Sequence, residues 1–323
     1  MTGAELESLD VLDLYPVRLP MRHRFRRVDH REAVLIHGPA GWGEFSPFPE
    51  YPASVTAAWL AAALESACTE LPTPLRARVP VNVTVPALDP GPARRLVEES
   101  GCRTAKVKVA EPGQDEAADL ARVAAVRAAL GPEGLIRVDA NGAWDVATAI
   151  ARIRRLSEFG LEYVEQPVAT IEGMRLVREA VGVAIAADES VRTAPDPLAV
   201  AEAGAADILV MKVQPMGGVR RTLELAARAG LPVVVSSALE SSVGMAAGVA
   251  AAAALPDLQY ACGLGTVSLL AGDVVTEPLL AIDGHIEVRR PEPDPALLDR
   301  FRPSRERAAE LLRKVRAASE LVA

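Results

Sequence analysis

The chain is 323 residues long, 50% apolar and 24% charged, with a formal net charge of −8; it is long enough for about two domains of ordinary globular composition. The acidic balance argues against a nucleic-acid partner, which needs a basic face, and the longest small-apolar run (243–255) is shorter than the ~20 residues of a bilayer span, so no membrane partner is expected. Residues 1–7 show no signal-peptide pattern, and Cys68, Cys102 and Cys262 are too scattered for a disulfide framework or zinc cluster, so a reduced, cytoplasmic protein is expected.

Taken in chain order, residues 9–19, 31–37 and 41–45 read as antiparallel strands and 54–70 as a helix. From about residue 80 short β-branched or apolar runs recur at 81–85, 105–109, 135–139, 163–165, 183–188, 208–212, 232–236 and 258–262. Ala/Arg/Glu-rich stretches such as 115–129 and 147–159 lie between them and read as helices. Strands alternating with helices predict a parallel sheet, and eight of them predict a closed (β/α)7β-type TIM barrel with its active site at the C-terminal ends of the strands. A doubly wound sheet would carry a Gly-rich phosphate loop after its first strand, and Val85-Pro86-Ala87-Leu88 offers none. The Ala-rich stretch 245–254 reads as a helix packed on the barrel. The tail adds a strand-like stretch (282–289), a Pro-rich link and a helix (304–321). The expected division is an α+β capping domain made of 1–78 with 282–323, and a barrel of 79–281.

Only four of the 35 basic residues are lysines: Lys106, Lys108, Lys212 and Lys314. A lysine can lose its proton near neutral pH when desolvated and arginine cannot, so each lysine here is a candidate for chemistry; Lys314, in an Arg-rich run, reads as part of a solvated helix face. Lys106 and Lys108 stand two apart in one strand and share a face. Val107 and Val109 suit the helix side, which leaves the ammonium groups for the barrel mouth. Asp139, Glu165 and Asp188 end the next three strands, where acids on neighbours ~4.8 Å apart converge. Asp139 or Asp188 alone could cap the following helix. Three together would repel one another, and a divalent cation resolves that; oxygen ligands without Cys or His suit Mg²⁺. Lys212 ends the following strand, on the far side of the acids from the two-lysine strand, so a small-molecule carboxylate held on the metal would have an ammonium on each face. It could also simply pair with Asp188 or Glu189.

The order Lys-x-Lys, Asp-x-Asn, Glu-Gln-Pro, Asp-Glu-Ser and Lys-x4-Gly-Gly, from Lys106 to Gly218, resembles the enolase superfamily in its muconate-lactonising-enzyme-like subgroup. Gly41 to Tyr51, Ser236 to Gly244 and Gly263 to Thr266 are similar to the o-succinylbenzoate synthases of that subgroup. The resemblance implies Mg²⁺ held by Asp139, Glu165 and Asp188, and dehydration of 2-succinyl-6-hydroxy-2,4-cyclohexadiene-1-carboxylate through an enediolate on the menaquinone pathway. It implies that Lys108 removes the α-proton and returns it to the departing hydroxyl, that Lys212 stabilises the anion, and that Lys106 helps keep Lys108 neutral. Asn141, Ser237, Gly263 and Gly265 are the candidate substrate contacts, and the segment 46–51 is expected to complete the pocket. N-succinylamino acid racemases and dipeptide epimerases share the two-lysine arrangement, but the Asp-x-Asp typical of the epimerases is absent between Cys262 and Asp273. A non-catalytic metal-binding barrel is the alternative from a different class.

Overall fold

The protein is described by a computed structural model covering residues 12–25, 28–194 and 196–322. Strands β1 (Asp13–Phe25), β2 (Val28–Gly38) and β3 (Gly41–Phe45) form an antiparallel sheet in that order. Residues 9–11 of the expected first strand lie outside the described residues. The helix Ala53–Cys68 lies on this sheet, and Gly43 lets the two touch, since a Cβ there would come within 2.0 Å of the Ala63 carbonyl oxygen. Val34, Ile36 and Phe45 of the sheet share a core with Trp59, Leu60 and Leu64 of the helix and with Leu311 and Val315 of the C-terminal helix Arg305–Ser319. The N-terminal sheet and the helix Arg305–Ser319 thus bury their apolar faces together.

Next come β4 (Arg78–Pro80) and seven parallel strands: β5 (Val83–Val85), β6 (Thr104–Lys108), β7 (Leu135–Asp139), β8 (Leu161–Glu165), β9 (Ala184–Ala187), β10 (Ile208–Lys212) and β11 (Val233–Ser236). From β5 to β11 each strand bonds its neighbour in sequence, giving a curled sheet. Strand β12 (His285–Glu287) returns to pair antiparallel with β4. Strand residues alternate between two faces. Val107, Val138, Val164, Ile185, Leu209 and Val235 pack outward with the helices. Tyr163, Ala186, Ile208, Val210 and Val234 form a separate cluster inside the sheet's curve.

The expected eighth strand is a correction. Instead of a strand over 258–262, only Cys262 and Gly263 bridge, to Val81 and Ser236 respectively. Asn82 N donates to Cys262 O at 3.0 Å and Gly263 N to Val235 O at 2.9 Å, so these few bonds close the ring. The ladder goes no further because the partner segment is shared, with Val81 N donating to Gly284 O at 2.8 Å. Tyr260 meanwhile packs edge-on against Tyr163, 6.1 Å between ring centroids. The tail strand expected at 282–289 shortens to β12, because Asp283 and Gly284 turn with φ of 50° and 72°. The Ala-rich helix runs Ser242–Ala254, capped by Ser241 Oγ accepting from Val243 N at 3.2 Å, and its Met245, Val249 and Ala251 join the barrel core.

Candidate active site

The floor of the barrel is a buried cation that the motifs did not single out. Arg137, two residues before Asp139 on the same face of β7, is fully buried. Its guanidinium donates to Glu162 Oε2 at 2.5 Å, Asn82 Oδ1 at 3.1 Å and Ala261 O at 2.7 Å, and stacks over Tyr163. An arginine inside an apolar strand was the available signal.

Above this floor the strand ends carry the predicted constellation. Lys108 is the register partner of Asp139, and Asp139 that of Glu165. Glu165 pairs with Ala186, two residues before Asp188, so Asp188 continues the same face. Asp139 and Glu165 are wholly inaccessible and Asp188 is 1% exposed. The helix-cap alternative fails for both aspartates. Asp145, not Asp139, caps the helix Val146–Leu156, and the Asp188 side chain makes no capping bond.

The lysines hold these acids in ion pairs. Lys106 Nζ lies 2.7 Å from Glu165 Oε1 and 3.5 Å from Asp139 Oδ2. Lys108 Nζ pairs with Asp139 Oδ2 and donates to Asn141 Oδ1 at 2.8 Å. Lys212 Nζ lies 2.6 Å from Asp188 Oδ2, so the expected simple pairing is present together with its place in the constellation. Burial would lower the Lys106 ammonium, but Glu165 and Asp139 outweigh it and raise it. Burial likewise opposes ionisation of Asp139, and Lys108 and Lys106 overcome it, holding that carboxyl below its usual range. Burial and the Asp139 carboxylate push Glu165 up to about 7.

The donor chemistry fits a divalent cation. Glu165 Oε2 is buried without a hydrogen-bond partner, and an orphaned acceptor among three buried carboxylates is a deficit that a hard cation removes. The spacing is that of an ammonium-neutralised site: among the described residues no three His, Cys, Asp or Glu side chains already stand as a ligand group.

Lys106, Lys108, Asn141, Asp188 and Lys212 line one cavity, with Ser237 and Gly263 on its wall. Asn141 has φ of 48° and its Nδ2 donates to Glu189 Oε1 at 3.2 Å. Ser237 Oγ bonds Thr266 Oγ1 at 2.7 Å. A Cβ on Gly263 would meet Ser236 Oγ at 2.3 Å. Gly265 is not part of this wall; a Cβ there would meet Asn82 O at 2.7 Å, so it permits close backbone packing.

Supporting side chains come from segments remote in sequence. Gln166 Oε1 accepts from Asp188 N at 3.0 Å and Ser190 N at 3.1 Å, fixing the turn that carries Asp188. Arg122, on the helix Glu116–Leu130, donates to Lys108 O at 2.9 Å from outside the barrel. From the capping side, the Tyr51 hydroxyl bonds Arg192, which also reaches Asp188 Oδ1 at 3.2 Å. Ser46 and Gln214 form a reciprocal pair, at 3.1 and 3.0 Å. The helix Ser242–Ala254 begins on Glu44, which accepts from Gly244 N at 3.0 Å.

Known proteins are similar to this chain in sequence and fold. Residues 92–293 match the enolase C-terminal domain-like family and residues 17–67 the enolase N-terminal domain-like family. The o-succinylbenzoate synthase of Thermobifida fusca is 60% identical over 84% of this chain and 86% of its own. That of Mycobacterium tuberculosis is 51% identical over 96% of this chain and 94% of its own. Among solved structures, the Pseudomonas fluorescens muconate lactonizing enzyme complexed with muconolactone superposes with a TM-score of 0.78 at 25% identity, covering 90% of this chain and 98% of that one. The dipeptide epimerase of Enterococcus faecalis has the same fold, with a TM-score of 0.73 at 23% identity over 87% of this chain and 97% of that one.

Proposed function

The chain belongs to the o-succinylbenzoate synthase family of the enolase superfamily, and we propose that it carries out that family's reaction: loss of water from 2-succinyl-6-hydroxy-2,4-cyclohexadiene-1-carboxylate to give 2-succinylbenzoate in menaquinone biosynthesis. The observation that supports this most directly is the opposition of Lys108 and Lys212. They end β6 and β10, with three strands between them around the sheet, and both face the same cavity.

In this reading Lys108 takes the proton α to the substrate carboxylate. Mg²⁺, held by Asp139, Glu165 and Asp188, would supply positive charge at that carboxylate as the proton leaves. Lys212 faces the resulting anion from the other side and stabilises it electrostatically. The C–O bond to the ring hydroxyl then breaks, Lys108 returns its proton to the departing oxygen as water, and the ring becomes aromatic. A single base serves both steps, which requires elimination on one face. Lys106 stays charged between Glu165 and Asp139 and acts on the base electrostatically. Asn141, Ser237 and Gly263 are assigned to substrate contact. The superfamily fold is divided here into a cap of 1–78 with 282–323 and a barrel of 79–281. Three free thiols, Cys68, Cys102 and Cys262, accord with a cytoplasmic protein.

The test is substitution of each lysine. Lys108→Ala and Lys212→Ala should keep the wild-type circular dichroism and lose turnover by about 10²- to 10⁴-fold. A Lys108→Ala protein with wild-type turnover would refute the assigned base.

A further inference from the structure

The wall of the cavity beside Lys212 is the end of β11 and the loop that joins it to the helix Ser242–Ala254, and Ser236 of the strand and Ser237, Ala238 and Leu239 of the loop face the cavity. Leu239 is buried with φ of 66°, a left-handed conformation that costs a side-chain-bearing residue free energy and persists only where its surroundings hold it. The barrel holds the start of the loop, with Ser237 N donating to Gly263 O at 3.0 Å and Ser237 Oγ bonded to Thr266 Oγ1. The N-terminal sheet holds 238–241.

Arg31 of β2, 3% exposed, sends its guanidinium across to the loop. Nε donates to Leu239 O at 3.0 Å and Nη2 to Ala238 O at 3.1 Å, while Nη2 also bonds the Ser46 carbonyl. Its guanidinium carbon sits 4.4 Å from the centre of the Phe48 ring, so the head of the arm rests on the capping core. Glu44 of β3 grips the loop's other end. Its carboxylate accepts from Ser241 N at 3.2 Å, from Ser241 Oγ, and from Gly244 N at 3.0 Å. Glu240 bends back within the loop and accepts from Ala238 N at 2.7 Å. Gly244 makes room for both acids, since a Cβ there would lie 2.8 Å from Glu240 Cβ and 2.9 Å from Glu44 Cδ.

On the function proposed above, we infer that Arg31 and Glu44 are positioning residues for the reaction: from the N-terminal sheet they hold 238–241 in its strained shape and so set the cavity wall that meets the part of the substrate that does not react. The wall contacts substrate before and during reaction alike, so loosening it weakens binding in both states, which raises KM more than it lowers kcat.

The experiment compares wild type with Arg31→Met, Arg31→Lys, Glu44→Ala and Glu44→Gln by steady-state dehydration and by amide hydrogen exchange read by mass spectrometry. Arg31→Met and Glu44→Ala should raise KM about tenfold or more with kcat held within about threefold, and amides of 237–241 should exchange faster while those of β7 and β8 do not change. Arg31→Lys and Glu44→Gln, which keep one donor group or one acceptor oxygen, should give smaller rises in KM in the same direction. If the truncated variants fail to fold, the two conservative variants carry the same comparison. Unchanged KM and unchanged exchange, or a loss confined to kcat, would overturn the inference. Exchange is read without substrate, so it tests the hold on the loop even if wild type proves to act on a different carboxylate.

Discussion

Replacing Lys106 with methionine removes the ammonium that lies between Glu165 and Asp139 while roughly keeping its volume. That ammonium is 2.7 Å from one carboxylate and 3.5 Å from the other, and the lysine side chain is 7% exposed. Removing one partner of a buried pair leaves an uncompensated charge and costs about 3–5 kcal/mol. In a chain of this size each kcal/mol moves the unfolding midpoint by ~2 °C, so in EDTA Lys106→Met should unfold about 6–10 °C below wild type. Excess Mg²⁺ should then stabilise the variant more than wild type, because the cation meets less repulsion at the carboxylates once the ammonium is gone; at one MgCl₂ concentration well above both Kd values, each tenfold lower Kd adds about 1.4 kcal/mol to the gain. The assay is differential scanning calorimetry of both proteins with EDTA and with MgCl₂. A variant as stable as wild type in EDTA, or an equal Mg²⁺ shift in both, would refute the reasoning.

Two further outcomes can be checked on stability alone. Burial pushes the Glu44 carboxyl up from 4.5 to about 7, so its neutral form stabilises the fold below about pH 4.5 and that contribution is lost as pH rises through about 7, with an upper bound of about 3 kcal/mol. Glu44→Gln cannot ionise, so its unfolding midpoint relative to wild type should rise between about pH 5 and about pH 8; a difference independent of pH would contradict the shift. At Gly218, with φ of 131°, a Cβ would come 2.2 Å from Glu65 Oε2, the carboxylate that caps the helix Val219–Arg228 by accepting from Val219 N and Arg220 N. Gly218→Ala should therefore cost about 2–4 kcal/mol in urea unfolding, and a cost under about 0.5 kcal/mol would show that this contact gives way freely.

The constellation was legible because the strand period is local. Two residues of spacing put Lys106 with Lys108 on one face, and acids at the end of successive apolar runs converge whatever surrounds them. The eighth strand was not legible, because 258–262 is apolar enough to read as a strand and its brevity depends on Gly284 and Tyr260 taking its partners. Nor were Arg31, Glu44 and Glu65. Their partners lie 15 to 208 residues away, and nothing in the local sequence separates a buried arginine from the other 30 arginines, most of which serve the surface. Arg137 lies between. Its inward position follows from Asp139, and only its partners at Asn82 and Ala261 needed the fold.

The central claim, that these lysines and acids dehydrate the cyclohexadiene substrate with a divalent cation, is tested most directly by following its absorbance with purified protein and MgCl₂, before and after EDTA. In parallel, α-proton exchange of N-succinylamino acids would be followed in D₂O. Rapid loss of absorbance that EDTA stops and Mg²⁺ restores, with slow or no exchange, is the predicted result. Exchange without dehydration, or dehydration indifferent to EDTA, would contradict it.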